Sequence, residues 1–241
     1  MLAHLARAAI RLMPGLGAAA LLAGCAAGPV ETESGRASAG AATTIPVPAA
    51  ARAFDVDPAR TRLTVLVYRA GPLARFGHNH AITSGQEGGV IWLGSAPATS
   101  GFEIHVPVSA FIVDDPQARA AAGPEFPGAV PDEARAGTTT NMLRAEVLDA
   151  ERYPEIVVRA RSATGTWQQV VAHASIRLKD MERDVDVPVV LDVTGDTVTA
   201  SGSFQVRQTD FGITPFSVAG GAIQVADVVD VHFEITAAAR P

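Results

Sequence analysis

Between Thr197 and Arg207 the chain alternates strictly: Val198, Ala200, Gly202, Phe204 and Val206 share one parity, and Thr197, Thr199, Ser201, Ser203, Gln205 and Arg207 share the other. A helix would scatter that apolar set around its girth, whereas an extended chain collects it on one face, so the run predicts a half-buried β-strand. The pattern returns in Val229, Val231, Phe233 and Ile235 against Asp230, His232, Glu234 and Thr236. Between the two runs, Gln208-Thr-Asp-Phe-Gly-Ile-Thr-Pro215 is rich in turn residues and predicts a corner. Arg207 and Asp210 flank it and predict an ion pair that pins the bend. A barrel or sandwich can close on such a pair of strands.

The first residues are of another kind. Arg7 and Arg11 precede a mostly apolar run from Leu12 that is shorter than the ~18–20 residues of a membrane span, which is the pattern of an export signal. Its end, Leu22-Ala23-Gly24-Cys25, resembles the lipobox of bacterial lipoproteins, in which the cysteine is diacylated and becomes the mature N-terminus. Ala26, rather than Asp, resembles the signal for outer-membrane sorting. The expected organisation is a signal peptide over 1–24, a flexible lipid-anchored tether of Ala, Gly, Ser, Thr and Pro over 25–52, and one folded domain over 53–241.

Cys25 is the only cysteine, so no disulfide forms within the domain and its stability rests on a core. At 48% hydrophobic residues, a domain of about 190 residues can bury one. The net charge of −6 and the absence of a basic stripe argue against a nucleic-acid partner. Membrane attachment is therefore expected through acyl chains rather than charge. Nothing in the sequence identifies a protein partner.

From Phe54 onward, short strand patterns alternate with turn residues. Asp57-Pro58 opens a run from Arg62 to Arg69 with Leu63, Val65 and Val67 on one face. Further runs span Gly88–Leu93 and Gly101–Val108, then Glu155–Ala160, Thr166–Leu178 and Val185–Val193. The Pro/Gly/Ala-rich stretch from Asp114 to Pro131 is expected to be a mobile loop or a lid. One short helix is expected from Thr138 to Leu148, stopped before Tyr153-Pro154. The sum is an all-β protein, an antiparallel barrel or sandwich of about eight strands with one short helix.

Chemistry-bearing residues are few. In Arg75-Phe76-Gly77-His78-Asn79-His80, two histidines at i and i+2 point the same way on an extended segment, and imidazoles ligate zinc, copper or iron. His78 and His80 are thus candidate metal ligands, with His105, His173 or His232 as a third. The competing reading is that His78 and Asn79 hydrogen-bond a tight loop at Gly77. No Gly-x-Ser-x-Gly elbow or free thiol is present after lipidation, so the chain does not read as an enzyme. Asp55 with Asp57, Asp184 with Asp186, and Asp227 with Asp230 read as solvated faces. Trp92, Phe204, Phe211, Phe216 and Phe233 read as core, although a barrel's inner face is also where a cavity lies.

Taken together, these residues resemble the YceI-like family over about 54–237. The resemblance rests on Asp57-Pro58, the run Val108–Asp115 and Asp149-Ala-Glu-Arg-Tyr-Pro-Glu-Ile-Val157. It rests above all on Phe204-Gln-Val-Arg-Gln-Thr-Asp-Phe-Gly-Ile213 followed by Val228–Ile235. It implies a lipocalin-like antiparallel β-barrel in the periplasm that encloses a long isoprenoid chain in an apolar channel. The sequence departs from the family at Gly77–Ile82 and in the longer loop Gln117–Arg135, both of which border the expected channel mouth. On alternation and position, the expected ligand-contacting residues are Phe76, His78, His80, Trp92, Phe204, Val206, Phe211, Val231 and Phe233, with Cys25 as the lipid attachment. The expected guest is an isoprenoid lipid or quinone, with no cofactor required. The alternatives are a metal- or haem-associated periplasmic protein using His78 and His80, and a structural envelope lipoprotein whose barrel is filled by its own side chains.

Overall fold

The computed structural model describes residues 46–240. The readings for residues 1–45, including Cys25, the signal and most of the tether, lie outside them.

In chain order the strands are β1 (Arg52–Val56), β2 (Arg62–Ala70), β3 (His80–Ser84), β4 (Gly88–Leu93), β5 (Gly101–Pro107) and β6 (Ile112–Val113). Two helices follow, α1 (Pro116–Ala121) and α2 (Asp132–Leu143). The chain then returns to strands: β7 (Glu155–Thr166), β8 (Gln169–Leu178), β9 (Met181–Thr194), β10 (Thr197–Arg207), β11 (Ser217–Val218) and β12 (Ile223–Ala239). Every pairing is antiparallel. Eight strands run β1-β4-β5-β7-β8-β9-β10-β12 and close back on β1 through Phe54↔Ala239 and Val56↔Ala237. The protein is thus a closed eight-stranded antiparallel barrel with few helices.

The long last strand makes closure possible. One end of β12 pairs with β1, while Gln224–Glu234 pairs with β2, which carries β3 and β6 beside it. β1 and β2 lie end to end along β12, separated by a 3₁₀ turn at Pro58–Arg60 that Asp57 caps by accepting from the Ala59 N–H at 3.0 Å. The ladder breaks there, and local groups fill the gap. Asp57 N–H donates to the Thr236 carbonyl at 2.8 Å, and the buried Thr61 hydroxyl accepts from the Thr236 N–H at 3.2 Å.

Two cross-strand pairs set a glycine against an aromatic ring. A Cβ on Gly101 would lie 2.5 Å from Trp92 Cζ2, its partner on β4, and one on Gly202 would lie 2.8 Å from Phe233 Cζ. These glycines let the rings lie flat across the neighbouring strand.

The helical region differs from expectation. α2 begins at Asp132 rather than Thr138, because Asp132 and Glu133 place acidic side chains in its first turn directly after Pro131. It ends at Leu143, where Arg144 turns extended, and Arg144–Leu148 continues as turns. The stretch expected as a free loop is packed. It contains α1, capped by Asp115 accepting from the Gln117 and Ala118 N–H groups at 2.9 and 3.1 Å, and it buries Phe126 and Val130. A Pro/Gly-rich segment leaves carbonyls without ladder partners, and the buried Arg119 fork supplies donors. Its Nε bonds the Gly128 carbonyl at 3.1 Å, Nη2 the Pro127 carbonyl at 3.2 Å, and Nη1 the Asn79 carbonyl at 2.7 Å.

The corner is also pinned differently. Arg207 lies 3.6 Å from Asp227, not Asp210, and Asp227 accepts from the Thr209 N–H at 2.9 Å and the Thr209 hydroxyl at 2.8 Å. Asp210 is exposed in the 3₁₀ turn Gln208–Phe211. Asp227 is therefore the residue that ties the corner to β12, and Gly212 completes the turn at φ 67°.

Candidate ligand-binding cavity

Alternation along a closed barrel delivers every second side chain to the interior. Here the inward set does not fill it. A cavity of about 290 Å³ runs inside the barrel. β10 contributes Ala200, Phe204 and Val206, and β12 contributes Val229, Val231, Phe233 and Ile235. β2 adds Leu63, Val65 and Val67, and β3 adds Ile82; β4, β5, β7, β8 and β9 supply the remaining strand walls. Along β12 alone the lining spans Val229 to Ile235, roughly 20 Å at the usual rise per residue. The space is therefore long and apolar.

A bulge between Ala160 and Ser162 in β7 shifts the parity of that strand, so Ala163 joins Ile156, Val158 and Ala160 in the wall. Ser162 and Trp167 are both exposed and part of the lining, which places the wall's contact with solvent at the β7–β8 hairpin. Near β1 the interior is solid: Phe54, Val198 and Ala237 are each 0% exposed and pack with Ile91, Ile104 and Ile235 as a floor. A second cluster of Val108, Leu148, Ile176, Phe211 and Ile213, backed by Met142 and Leu143 from α2, closes another part of the wall. The corner thus has a packing role beyond turning the chain.

Five of the nine residues expected to contact a ligand are in the lining: Phe204, Val206, Phe211, Val231 and Phe233. The Phe204 and Phe233 rings sit 6.2 Å apart at 57°. The other four lie elsewhere. Trp92 has opposite parity to the inward Ile91 and Leu93, and it is buried against Gly101 outside the cavity. Phe76 is 63% exposed in the turn Ala74–Phe76, with the Arg75 guanidinium 4.5 Å above its ring. His78 is exposed. His80 stands in β3 with Nδ1 2.6 Å from Asp114 Oδ2, and its ring is 6.4 Å from that of His78.

The three strand histidines considered as third metal ligands do not approach His78 and His80 as a group. His105 lies between Glu103 and Glu155, at 3.1 and 2.8 Å, and His173 pairs with Asp186 at 2.7 Å. Among the described residues no cluster of three or more His, Cys, Asp or Glu side chains converges.

Some polar groups carry more structure than a solvated-face reading assigns them. Asp230 accepts from the Tyr68 hydroxyl at 2.8 Å and from Gln205 Nε2 at 2.7 Å, and burial followed by that carboxylate pushes the Tyr68 phenol up to about 12. Arg240 forms a bidentate pair with Asp55, whose carboxyl it holds below the usual range. Glu87, at 0% exposure, lies in the cavity wall. An isolated acid before Gly88-Gly89 carries no sequence signal for such a place, because the strand pattern begins only after it.

The YceI-like domain matches this sequence over residues 54–237. Among solved structures, Burkholderia cenocepacia BcnA superposes with a TM-score of 0.55 at 16% identity, covering 75% of this chain and 98% of its own. The Campylobacter jejuni YCEI protein superposes with a TM-score of 0.43 at 7% identity, covering 64% of this chain and 81% of its own. No curated protein matches the sequence.

Proposed function

The chain belongs to the YceI-like family, and from that premise we propose that it is an exported envelope protein that binds an isoprenoid lipid or quinone in its barrel. The observation that carries this reading is the cavity itself: long, enclosed by strands, and lined almost wholly by aliphatic and aromatic side chains. Such a space suits a slender hydrocarbon chain and offers little to a polar metabolite. A barrel filled by its own side chains would favour a structural role; the open interior of about 290 Å³ favours a carrier. Cys25 and the lipobox support attachment to the membrane through acyl chains, with the barrel facing the periplasm on its tether.

The test is native mass spectrometry of the protein purified from the periplasmic side, followed by organic extraction of what copurifies. A stoichiometric polyprenyl species supports the reading, and a protein that carries none and takes none up overturns it. For the anchor, Cys25→Ala is expected to move the protein out of the membrane fraction.

A further inference from the structure

The end of the barrel where the cavity meets solvent is also the end where the chain enters the fold. The β7–β8 hairpin, closed by Thr166↔Gln169, and the β9–β10 hairpin, closed by Thr194↔Thr197, stand on one rim. The link from β4 to β5 completes it, together with Arg52, which opens β1 opposite Leu93. Ser162 and Trp167 are exposed in the cavity lining at this rim, beside Pro97 and Ser100 of the link.

The rim is apolar where it can be reached. Trp167 is 37% exposed, Val193 47% and Val190 68%. Val170 pairs with Val189, so the hairpin that carries Trp167 stands beside the Val190–Val193 run of β9. Its acids are offset: Asp196 pairs with Arg52, Asp55 pairs with Arg240, and Asp192 accepts from the Thr194 hydroxyl at 3.2 Å. Arg161, the extra residue of the β7 bulge, is exposed and forms no ion pair among the described residues, which leaves a cation for phosphate headgroups. Three apolar side chains are too few for a stable protein interface, which buries about 800 Å² per partner. They suit a weak contact that a tether holds in place, and an indole favours the boundary between headgroups and acyl chains.

A second exposed apolar group, Leu73, Phe76, Phe216 and Val218, lies at the far end of β12, where Val218 pairs with Ile223 and Ala70 with Gln224. Along β12 it stands roughly 45 Å from Ala238 at the rim. The expected tether joins Cys25 to the rim end, and a coil of its length reaches about 25–30 Å, short of that span. The tether therefore favours the Trp167 end.

We propose that the rim of Trp167 and Val193 docks on the bilayer to which the tether is attached, and that the guest passes between bilayer and cavity at this rim without crossing water. The proposal rests on the lipid anchor and the isoprenoid reading above, and adds the face that meets the membrane and the route of the ligand.

The test uses the acylated full-length protein in phosphatidylcholine vesicles with acyl chains brominated near the headgroup, which quench tryptophans that touch them. The protein has two tryptophans, and Trp92 is buried. Wild-type emission should fall relative to unbrominated vesicles, and most of that fall should be lost in Trp167→Phe. Phe76→Trp combined with Trp167→Phe moves the reporter to the far end and should not restore it. An equal fall in wild type and Trp167→Phe, or quenching of the reporter at position 76, overturns the docking. For the route, geranylgeraniol placed in the protein's own vesicles should load at least about tenfold faster than the same amount in separate vesicles, because escape of its chain into water costs roughly 0.8 kcal/mol per CH₂. Equal rates overturn direct passage. Geranylgeraniol that loads from neither source removes the isoprenoid reading and the route with it, while the quenching still decides the docking. Wild-type protein that does not float with the vesicles removes the anchor, and the docking falls with it.

Discussion

Arg119 Nη1 donates to Asp114 Oδ1 at 2.7 Å, and the two side chains are 3% and 0% exposed. The other Asp114 oxygen meets His80, and its first oxygen also accepts from the Ala81 N–H at 3.0 Å. One buried carboxylate thereby joins β3 to the α1 region. Removing Arg119 would strand that charge, so Arg119→Met is expected to destabilise the domain by about 3–5 kcal/mol, read as a lower urea midpoint.

The same site sets an acid limit. Burial pushes the Asp114 carboxyl up, but hydrogen bonds from His80, Arg119 and Ala81 outweigh it and hold the group below the usual carboxylate range. A carboxyl lower in the folded state than in the unfolded chain contributes stability that is complete above about pH 4, the unfolded value. That contribution is lost as pH falls through the folded value. Denaturation midpoints measured from neutral pH down to about pH 2 should therefore fall less steeply in Asp114→Asn, which is less stable at neutral pH to begin with.

Tyr68 gives the opposite sign. Its phenol is pushed up to about 12 by burial and by the Asp230 carboxylate. A group raised on folding contributes stability that is full below its unfolded value near 10 and is lost as pH rises through the folded one. The protein has two tyrosines, so tyrosinate absorbance resolves them. One should titrate near 12 in wild type, and Asp230→Asn should lower it only part of the way, because burial is the larger cause.

At the corner, Asp227→Ala removes two hydrogen bonds to Thr209 and the approach of Arg207, and it is expected to cost about 1–2 kcal/mol. Asp210→Ala touches no such contact and should stay within about 0.5 kcal/mol of wild type. Equal urea midpoints for the two variants would contradict this division of roles.

How much of this was legible beforehand follows from the range of each interaction. Alternation is local, so β10 and β12 could be read directly, and with them Phe204, Val206, Val231 and Phe233 as inward. On β4 the same alternation turns Ile91 and Leu93 inward and leaves Trp92 outside the cavity. Asp210 is the acid nearest Arg207 in sequence, whereas strand pairing brings β12 alongside β10 and supplies Asp227 instead. Arg119 lies in a Pro/Gly-rich stretch where nothing local shows that its guanidinium replaces missing ladder donors. Glu87 was silent for the same reason: its burial depends on how β3 crosses to β4.

Saturable uptake of a polyprenyl lipid is the most direct measure of the central claim. Burial of such a chain is driven by roughly 25 cal/mol per Å² of apolar surface, offset by the entropy of ordering it, so micromolar or tighter affinity is expected. Phe204 lines the cavity and Gln205, next to it, faces the solvent side with Asp230. Titrating geranylgeraniol into wild type, Phe204→Asp and Gln205→Ala, each first shown to be folded by circular dichroism, should give saturable binding in wild type and Gln205→Ala and none in Phe204→Asp. A folded wild-type protein that shows no saturable uptake, or a Phe204→Asp variant that binds as wild type does, contradicts the account.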